Sequence, residues 1–115
     1  MRVAISTRGE HPESLVHPQF GRCEWFVIFD EAPELVKVIK NSNADLPTGA
    51  GIGCADDLVR QEVKAVIAGQ FGPKACEVLK QAGVAIYLAP SNLSAQDAYT
   101  KFLSGGLQKM EIKKF

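Results

Sequence analysis

At 115 residues the chain is long enough for one domain with a single core and too short for two. Thirteen basic and thirteen acidic side chains give zero formal charge, and hydrophobic residues make up 46%; this is the profile of an ordinary globular domain and argues against nucleic-acid binding. No segment approaches the roughly 20 apolar residues of a membrane helix, and the N-terminal region holds no apolar run behind a basic start. Residues 1–115 therefore read as one domain, with no membrane partner and the cytoplasm as its default location.

In chain order, Val3-Ala4-Ile5-Ser6 is a short apolar strand that opens into a polar loop, Thr7 to Arg22, rich in Gly, Pro and His. Trp25 to Asp30 and Leu35 to Lys40 then flank Glu31-Ala32-Pro33-Glu34, a connection that fits an antiparallel hairpin. Apolar residues on both faces of the first of these strands predict a central position, and the alternation of the second predicts an edge.

After a polar connection, Thr48-Gly49-Ala50-Gly51-Ile52-Gly53-Cys54 leads into a helix marked by Ala55, Leu58, Val59 and Glu62. Cys54 stands where that helix is expected to begin, and Asp56 and Asp57 are read as charges of its first turn. Ala65 to Ala68 is a buried strand. Gly69-Gln70-Phe71-Gly72 precedes Pro73, which suits a first helical position, and that helix closes at Gly83. Val84 to Leu88 is the next strand, and Ser94 with Asp97 resembles a capping box ahead of Ala95, Ala98, Tyr99, Phe102 and Leu103. Lys109, Lys113 and Lys114 read as a solvated tail.

The assembled pattern is a hairpin followed by βαβαβα: a three-layer α/β domain with a mixed five-stranded sheet. Three loops converge at the carboxyl ends of its strands, where sites in such sheets tend to lie. They are the loop after the first strand, the segment Gly49 to Cys54, and Gly69 to Pro73. Closely spaced glycines let backbone approach a ligand, and the N–H groups of a first helical turn favour an anion or a thiolate. A tight turn with Cys54 tucked against the sheet is the alternative. Cys23, Cys54 and Cys76 form an odd set without a CxxC pair, which excludes a disulfide framework. Together with His11 and His17 they also lack structural-zinc spacing, and Cys76 fits a buried helix face.

Met1-Arg2-Val3-Ala4-Ile5, Gln19-Phe20-Gly21-Arg22, Gly49-Ala50-Gly51-Ile52 and, above all, Val66 to Ala75 resemble the dinitrogenase iron–molybdenum cofactor biosynthesis family in content and order. The resemblance implies a ribonuclease-H-like three-layer fold with strand order 3-2-1-4-5 and strand 2 antiparallel. It also implies a carrier or scaffold for a metal–sulfur cofactor, of the iron–molybdenum type or a related molybdenum, iron or copper sulfide, or its precursor. Partners would then be the cofactor itself and cofactor-assembly proteins. In several relatives a His that precedes the Phe-Gly pair is suspected of binding the cluster. This chain has Gln19 there, with His17 two residues earlier. The CxxxCxxC signature of the radical-type synthase is absent, so that chemistry is not expected.

An anionic metal sulfide needs N–H donors, a cation and a soft ligand. The residues singled out for cofactor binding are Gln19, Phe20, Gly21, Arg22, Gly49, Gly51, Gly53 and Gly72, and those for metal ligation are Cys54, Cys23 and His17. None is singled out as catalytic. The alternatives are that Arg22 pairs with Glu24 or Asp30, Cys23 covers the aromatic strand, Phe20 and Phe71 pack, and His11 is solvated. Two-metal phosphoryl transfer would need convergent carboxylates, and only Asp30, Asp45, Asp56 and Asp57 stand near the loops. A cofactor-free regulatory or protein-interaction module is the rival function.

Overall fold

The computed structural model describes residues 1–30 and 36–110. Strands β1 (Arg2–Thr7), β2 (Trp25–Phe29) and β3 (Val36–Lys40) are followed by α1 (Ala50–Arg60), β4 (Val63–Ala68), α2 (Pro73–Gln81), β5 (Ala85–Leu88), α3 (Ala95–Leu103) and β6 (Gln108–Met110). The sheet order is β3-β2-β1-β4-β5-β6. β1 pairs parallel with β4 and β4 with β5, whereas β2 runs antiparallel to β1 and β3.

The expected order 3-2-1-4-5 is therefore present, but the sheet has six strands rather than five. Gln108–Met110 adds antiparallel to β5, with Lys109 opposite Tyr87. Lys109 thus belongs to an edge strand and not to a solvated tail. Polar residues in a three-residue strand give almost no periodicity, so the pairing is set by the neighbouring strand. The proposed turn Glu31 to Glu34 and the residues Lys113 and Lys114 lie outside the described residues.

Continuous apolar runs in β1, β2 and β4 follow from coverage on both faces. Ala4, Phe26, Ile28, Val66 and Ile86 meet Leu58 and Leu79 of α1 and α2 on one side. Val3, Ile5, Val27, Phe29 and Ile67 meet Ala95 and Ala98 of α3 on the other, where Tyr99 stacks on Phe29 at 4.4 Å. Because β3 runs in the same sense as β1, the loops that leave β1, β3, β4 and β5 share one rim, and all three helices begin there.

α1 begins earlier than the sequence suggests. Glycine disfavours helix interiors by about 1 kcal/mol relative to alanine, yet Gly51 and Gly53 are the second and fourth residues of α1. A Cβ on Gly51 would sit 3.2 Å from the Ala75 Cβ, so the residue lets α1 press against α2. Gly49, at φ 78°, is the N-cap in the left-handed region that glycine adopts without strain. Cys54 is consequently the fifth helical residue instead of the first, and no acidic residue occupies the first turn. Asp56 pairs with Arg60 at 3.0 Å, and Asp57 accepts a hydrogen bond from Asn43 Nδ2 at 2.8 Å.

α3 is capped as expected, with Ser94 Oγ accepting from Asp97 N at 3.0 Å. Ser94→Ala should lower the unfolding free energy by about 1 kcal/mol in urea denaturation. A change below about 0.3 kcal/mol would show that the bridge between Leu15 and Ser94 secures this helix start without the cap.

Candidate functional site

Two helix starts meet on the shared rim. In α1 the first i→i−4 bond runs from Gly53 N to Gly49 O, so the amides of Ala50, Gly51 and Ile52 precede the helical ladder. In α2 the first such bond runs from Cys76 N to Gly72 O; Pro73 has no N–H, and the amides of Lys74 and Ala75 precede the ladder. Neither N-cap supplies a side-chain hydrogen bond, in contrast to Ser94 at α3. Gly49, Gly51, Ile52, Gly72, Pro73, Lys74 and Ala75 line a cleft of about 560 Å³ together with Phe20 and Thr48. Phe20 stacks on Phe71 with ring centroids 4.9 Å apart, giving the cleft a rigid apolar wall.

Electrostatics make this an anion-receptive surface. Two helix N-termini each present partial positive charge, and the exposed Lys74 adds an ammonium. Accessible thiols are missing from the lining, because both nearby cysteines are sealed. Cys54 is 1% exposed and Cys23 0%. Burial pushes the Cys54 thiol from the ordinary 9.0 up to about 12, helped by the neighbouring Cys23, and burial likewise pushes Cys23 up to about 11. Burial also raises Cys76. All three are neutral thiols near pH 7, so the expected thiolate at a helix start is corrected by the position of Cys54 one turn inside the helix.

Behind the cleft, Asn41 joins three segments. Its Nδ2 donates to Gly21 O at 3.0 Å and Cys23 O at 2.7 Å, while its Oδ1 accepts from Asn43 N at 3.0 Å and from the Cys54 thiol at 2.9 Å. Gly21, at φ 100°, needs its lack of side chain twice over, since a Cβ would also stand 2.9 Å from Gly51 Cα and N. Gly53 meets the side chain of Asn43 in the same way. The sequence carried little sign of Asn41, which follows Lys40 and precedes Ser42 and Asn43 in a polar stretch; its signal is burial.

Of the residues singled out beforehand, Phe20, Gly49, Gly51 and Gly72 are brought together in the cleft lining, and Gly21, Gly53, Cys23 and Cys54 lie in its support. Arg22 pairs with neither Glu24 nor Asp30. Its Nη1 donates to Ala44 O at 2.9 Å and Leu46 O at 2.7 Å, fastening the loop that feeds α1, while Asp30 pairs with Arg2 on the opposite rim.

His17 and Gln19 stand on the loop after β1, outside the cleft lining. The His17 Nδ1 lies 3.0 Å from Gln19 N and 3.1 Å from Gln19 O. Partial burial, with the Arg8 charge, lowers the His17 pKa and keeps the ring neutral at pH 7. Thr48, Ile52, Pro73, Lys74 and Ala75 complete the lining; Lys74 was discoverable from its place directly after Gly72-Pro73. Among the described residues no three His, Cys, Asp or Glu side chains gather so as to hold a metal ion.

A second cleft, of about 610 Å³, opens on the α3 side of the rim between Leu88, Asn92, Leu93, Lys101 and Gln108. It is the larger of the two and also carries an ammonium, Lys101, but that cation sits in the last turn of α3, whose dipole opposes an anion. The two uncapped helix starts, not size or a lone ammonium, single out the Phe20 cleft.

These features define a class: an α/β domain with a mixed sheet and, among the described residues, three helices, opening on one rim into a cleft beside two helix N-termini. Within that class the chain belongs to the dinitrogenase iron–molybdenum cofactor family, whose sequence model matches residues 1–105. It is 35% identical over 97 residues to an uncharacterised protein of Methanocaldococcus jannaschii, covering 82% of this chain and 81% of that one. The apo form of the orange protein from Desulfovibrio gigas is 31% identical with a TM-score of 0.90, covering 95% of this chain and 92% of that one. A putative NifB protein from Thermotoga is 32% identical with a TM-score of 0.83, covering 99% and 97%.

In the folded protein near neutral pH, thiol alkylation should be slow at all three cysteines and no faster at Cys54 than at Cys76. Fast labelling of Cys54 would put its thiol at the surface. The fold favours the neutral thiols, so their stabilisation is complete below the unfolded value of 9.0 and is lost as pH rises through about 11 and about 12. Above pH 9 the unfolding free energy should fall by about 1.4 kcal/mol per pH unit for each such thiol, with a shallower slope in Cys23→Ala.

Two glycines separate scaffold from lining. Gly21→Ala should destabilise by about 2 kcal/mol or more, whereas Gly72→Ala, whose added Cβ meets nothing within 4 Å at φ −76°, should stay within about 0.5 kcal/mol. Similar losses in denaturant melts would contradict the close approach of Gly21 to Gly51.

Proposed function

We propose that this protein carries or scaffolds an anionic metal–sulfur cofactor, or a precursor of one, in the Phe20 cleft without turning it over. The single observation that carries the reading is the convergence of two uncapped helix N-termini and Lys74 on one cleft beside an apolar wall. Family membership supports it, as does similarity to the orange protein and to a putative NifB protein.

The donor set suits a particular kind of cargo. With neutral, buried cysteines and backbone amides as the contacts on offer, the cleft fits a cluster that brings its own sulfide ligands. Sulfides of molybdenum with iron or copper answer that description, being soft anions whose outer sulfurs accept N–H donors. Phe20 contributes a polarisable apolar wall, and Lys74 offsets charge. Gly49, Gly51 and Gly72 are proposed to let the cluster approach the backbone. Gly21, Gly53 and Arg22 are proposed to act from behind it. Gln19 and His17 are proposed at the mouth of the loop after β1, with the neutral ring of His17 retaining Nε2 for any contact. A protein that hands such a cargo on would meet cofactor-assembly proteins on this same rim.

Anaerobic titration with tetrathiomolybdate, alone and with copper(I) or iron(II), tests the reading by absorption and elemental analysis. Saturable uptake of about one cluster per chain is the expected result. Colourless protein throughout would leave a cofactor-free interaction module in its place. Lys74→Gln should weaken tetrathiomolybdate binding by roughly three- to tenfold at low ionic strength and less at 0.5 M salt, where the screening length falls to about 4 Å. Equal weakening at both salts would remove charge from the role of Lys74.

A further inference from the structure

We infer that Cys54 serves the cleft as a neutral hydrogen-bond donor and, with Asn41, is a positioning residue that fixes the gap between the Phe20–Gly21 wall and the start of α1. The inference deepens the carrier reading and rests on it for the ligand-binding part alone.

The geometry leaves Asn41 no spare valence. Its two amide hydrogens go to Gly21 O and Cys23 O, and its carbonyl oxygen takes Asn43 N–H and Cys54 S–H. The Cys54 sulfur also lies 3.8 Å from Gly21 O, so one acceptor near this thiol belongs to the wall itself and the other to Asn41, which holds that wall. Cys54 is on the helical face of Gly51, three residues on, and Gly51 is the residue whose backbone Gly21 touches.

The thiol therefore ties α1 to Asn41 and, through Asn41, to the carbonyls of Gly21 and Cys23. A buried Asn oxygen that lost one of its two donors would relax toward its remaining partner. The amides of Gly51 and Ile52 would shift with it, because the first turn of α1 is fixed from behind here and is uncapped in front.

A metal-ligand role demands different chemistry. A ligating sulfur must lose its proton and reach the cargo. Burial, the adjacent Cys23 and Asp57 all oppose the charged form, and the thiol proton is already committed to Asn41. Serine separates the two roles: it keeps an O–H donor at this position and lacks the soft sulfur.

The experiment compares Cys54→Ser and Cys54→Ala in the full chain. Without any anion, amide shifts and hydrogen-exchange rates of Gly51 and Ile52 should match wild type in the serine variant and depart from it in the alanine variant. Tetrathiomolybdate affinity should stay within about twofold for Cys54→Ser. It should fall about five- to tenfold for Cys54→Ala, because binding must then re-order a first turn that wild type holds in place.

Loss of binding in Cys54→Ser as complete as in Cys54→Ala would overturn the donor role in favour of sulfur ligation. Wild-type amide shifts and affinity in Cys54→Ala would overturn the positioning role. Asn41→Asp, which keeps the acceptor and gives up both donors, should displace the same two amide signals, and unchanged signals would remove Asn41 from the device. If wild-type protein takes up no tetrathiomolybdate, the carrier reading fails, and the shift and exchange comparison still decides whether Cys54 is the donor.

Discussion

The contact between the backbones of Gly21 and Gly51 sets the dimensions of the rim, because Phe20 is attached to the first of those segments and Thr48, Gly49 and Ile52 to the second, while Gly51 also packs on Ala75 at the start of α2. A Cβ on Gly21 would stand 2.9 Å from Gly51 Cα and N and force the two segments apart. Such an approach brings polar backbone groups into a dry region, where each unpaired group costs roughly 1–3 kcal/mol. Asn41 meets that requirement by taking up the carbonyls of Gly21 and Cys23 and supplying an acceptor to Asn43 and Cys54. Arg22 secures the outer part of the same loop through Ala44 and Leu46.

With the walls fixed, the electrical character of the cleft follows from what the helices omit. A Ser, Thr, Asp or Asn cap normally consumes amides of the first turn, as Ser94 does for α3. Gly49 and Gly72 occupy the equivalent positions in α1 and α2 and have nothing with which to consume them. A glycine cap in place of Ser, Thr, Asp or Asn forfeits roughly a few tenths of a kcal/mol of helix stability. Here the packing of α1 on α2, through Leu58, Leu79 and the Gly51–Ala75 contact, supplies the stability that the caps would have given.

The cysteines illustrate how burial decides the chemistry of a side chain. A thiol at the exposed start of a helix gains thiolate character; the same thiol one turn further in, under a loop and beside a second thiol, becomes an inert donor. Cys23 and Cys54 are on that inner side. The cleft therefore offers an anion helix-start amides and no accessible thiol.

The sequence by itself determined the strand–helix alternation, the central β1, β2 and β4, the α2 start at Pro73 and the Ser94 cap, because these depend on local periodicity and on residues whose backbone preferences are strong. It also determined the family, through the glycine motifs, and the convergence of Phe20, Gly49, Gly51 and Gly72 on one rim. Tertiary structure alone decided the sixth strand, since Gln108–Met110 has no periodicity of its own and is a strand because β5 offers an open edge. It alone decided that α1 starts at Ala50, because the penalty for helical glycine is local and the gain from close helix packing is not. The burial of Cys54, the reach of Arg22 to Ala44 and Leu46, and the bonds of Asn41 to Gly21, Cys23 and Cys54 join positions 13 to 24 residues apart in sequence. No local rule of propensity or capping spans that separation, so only the folded chain brings those partners into contact.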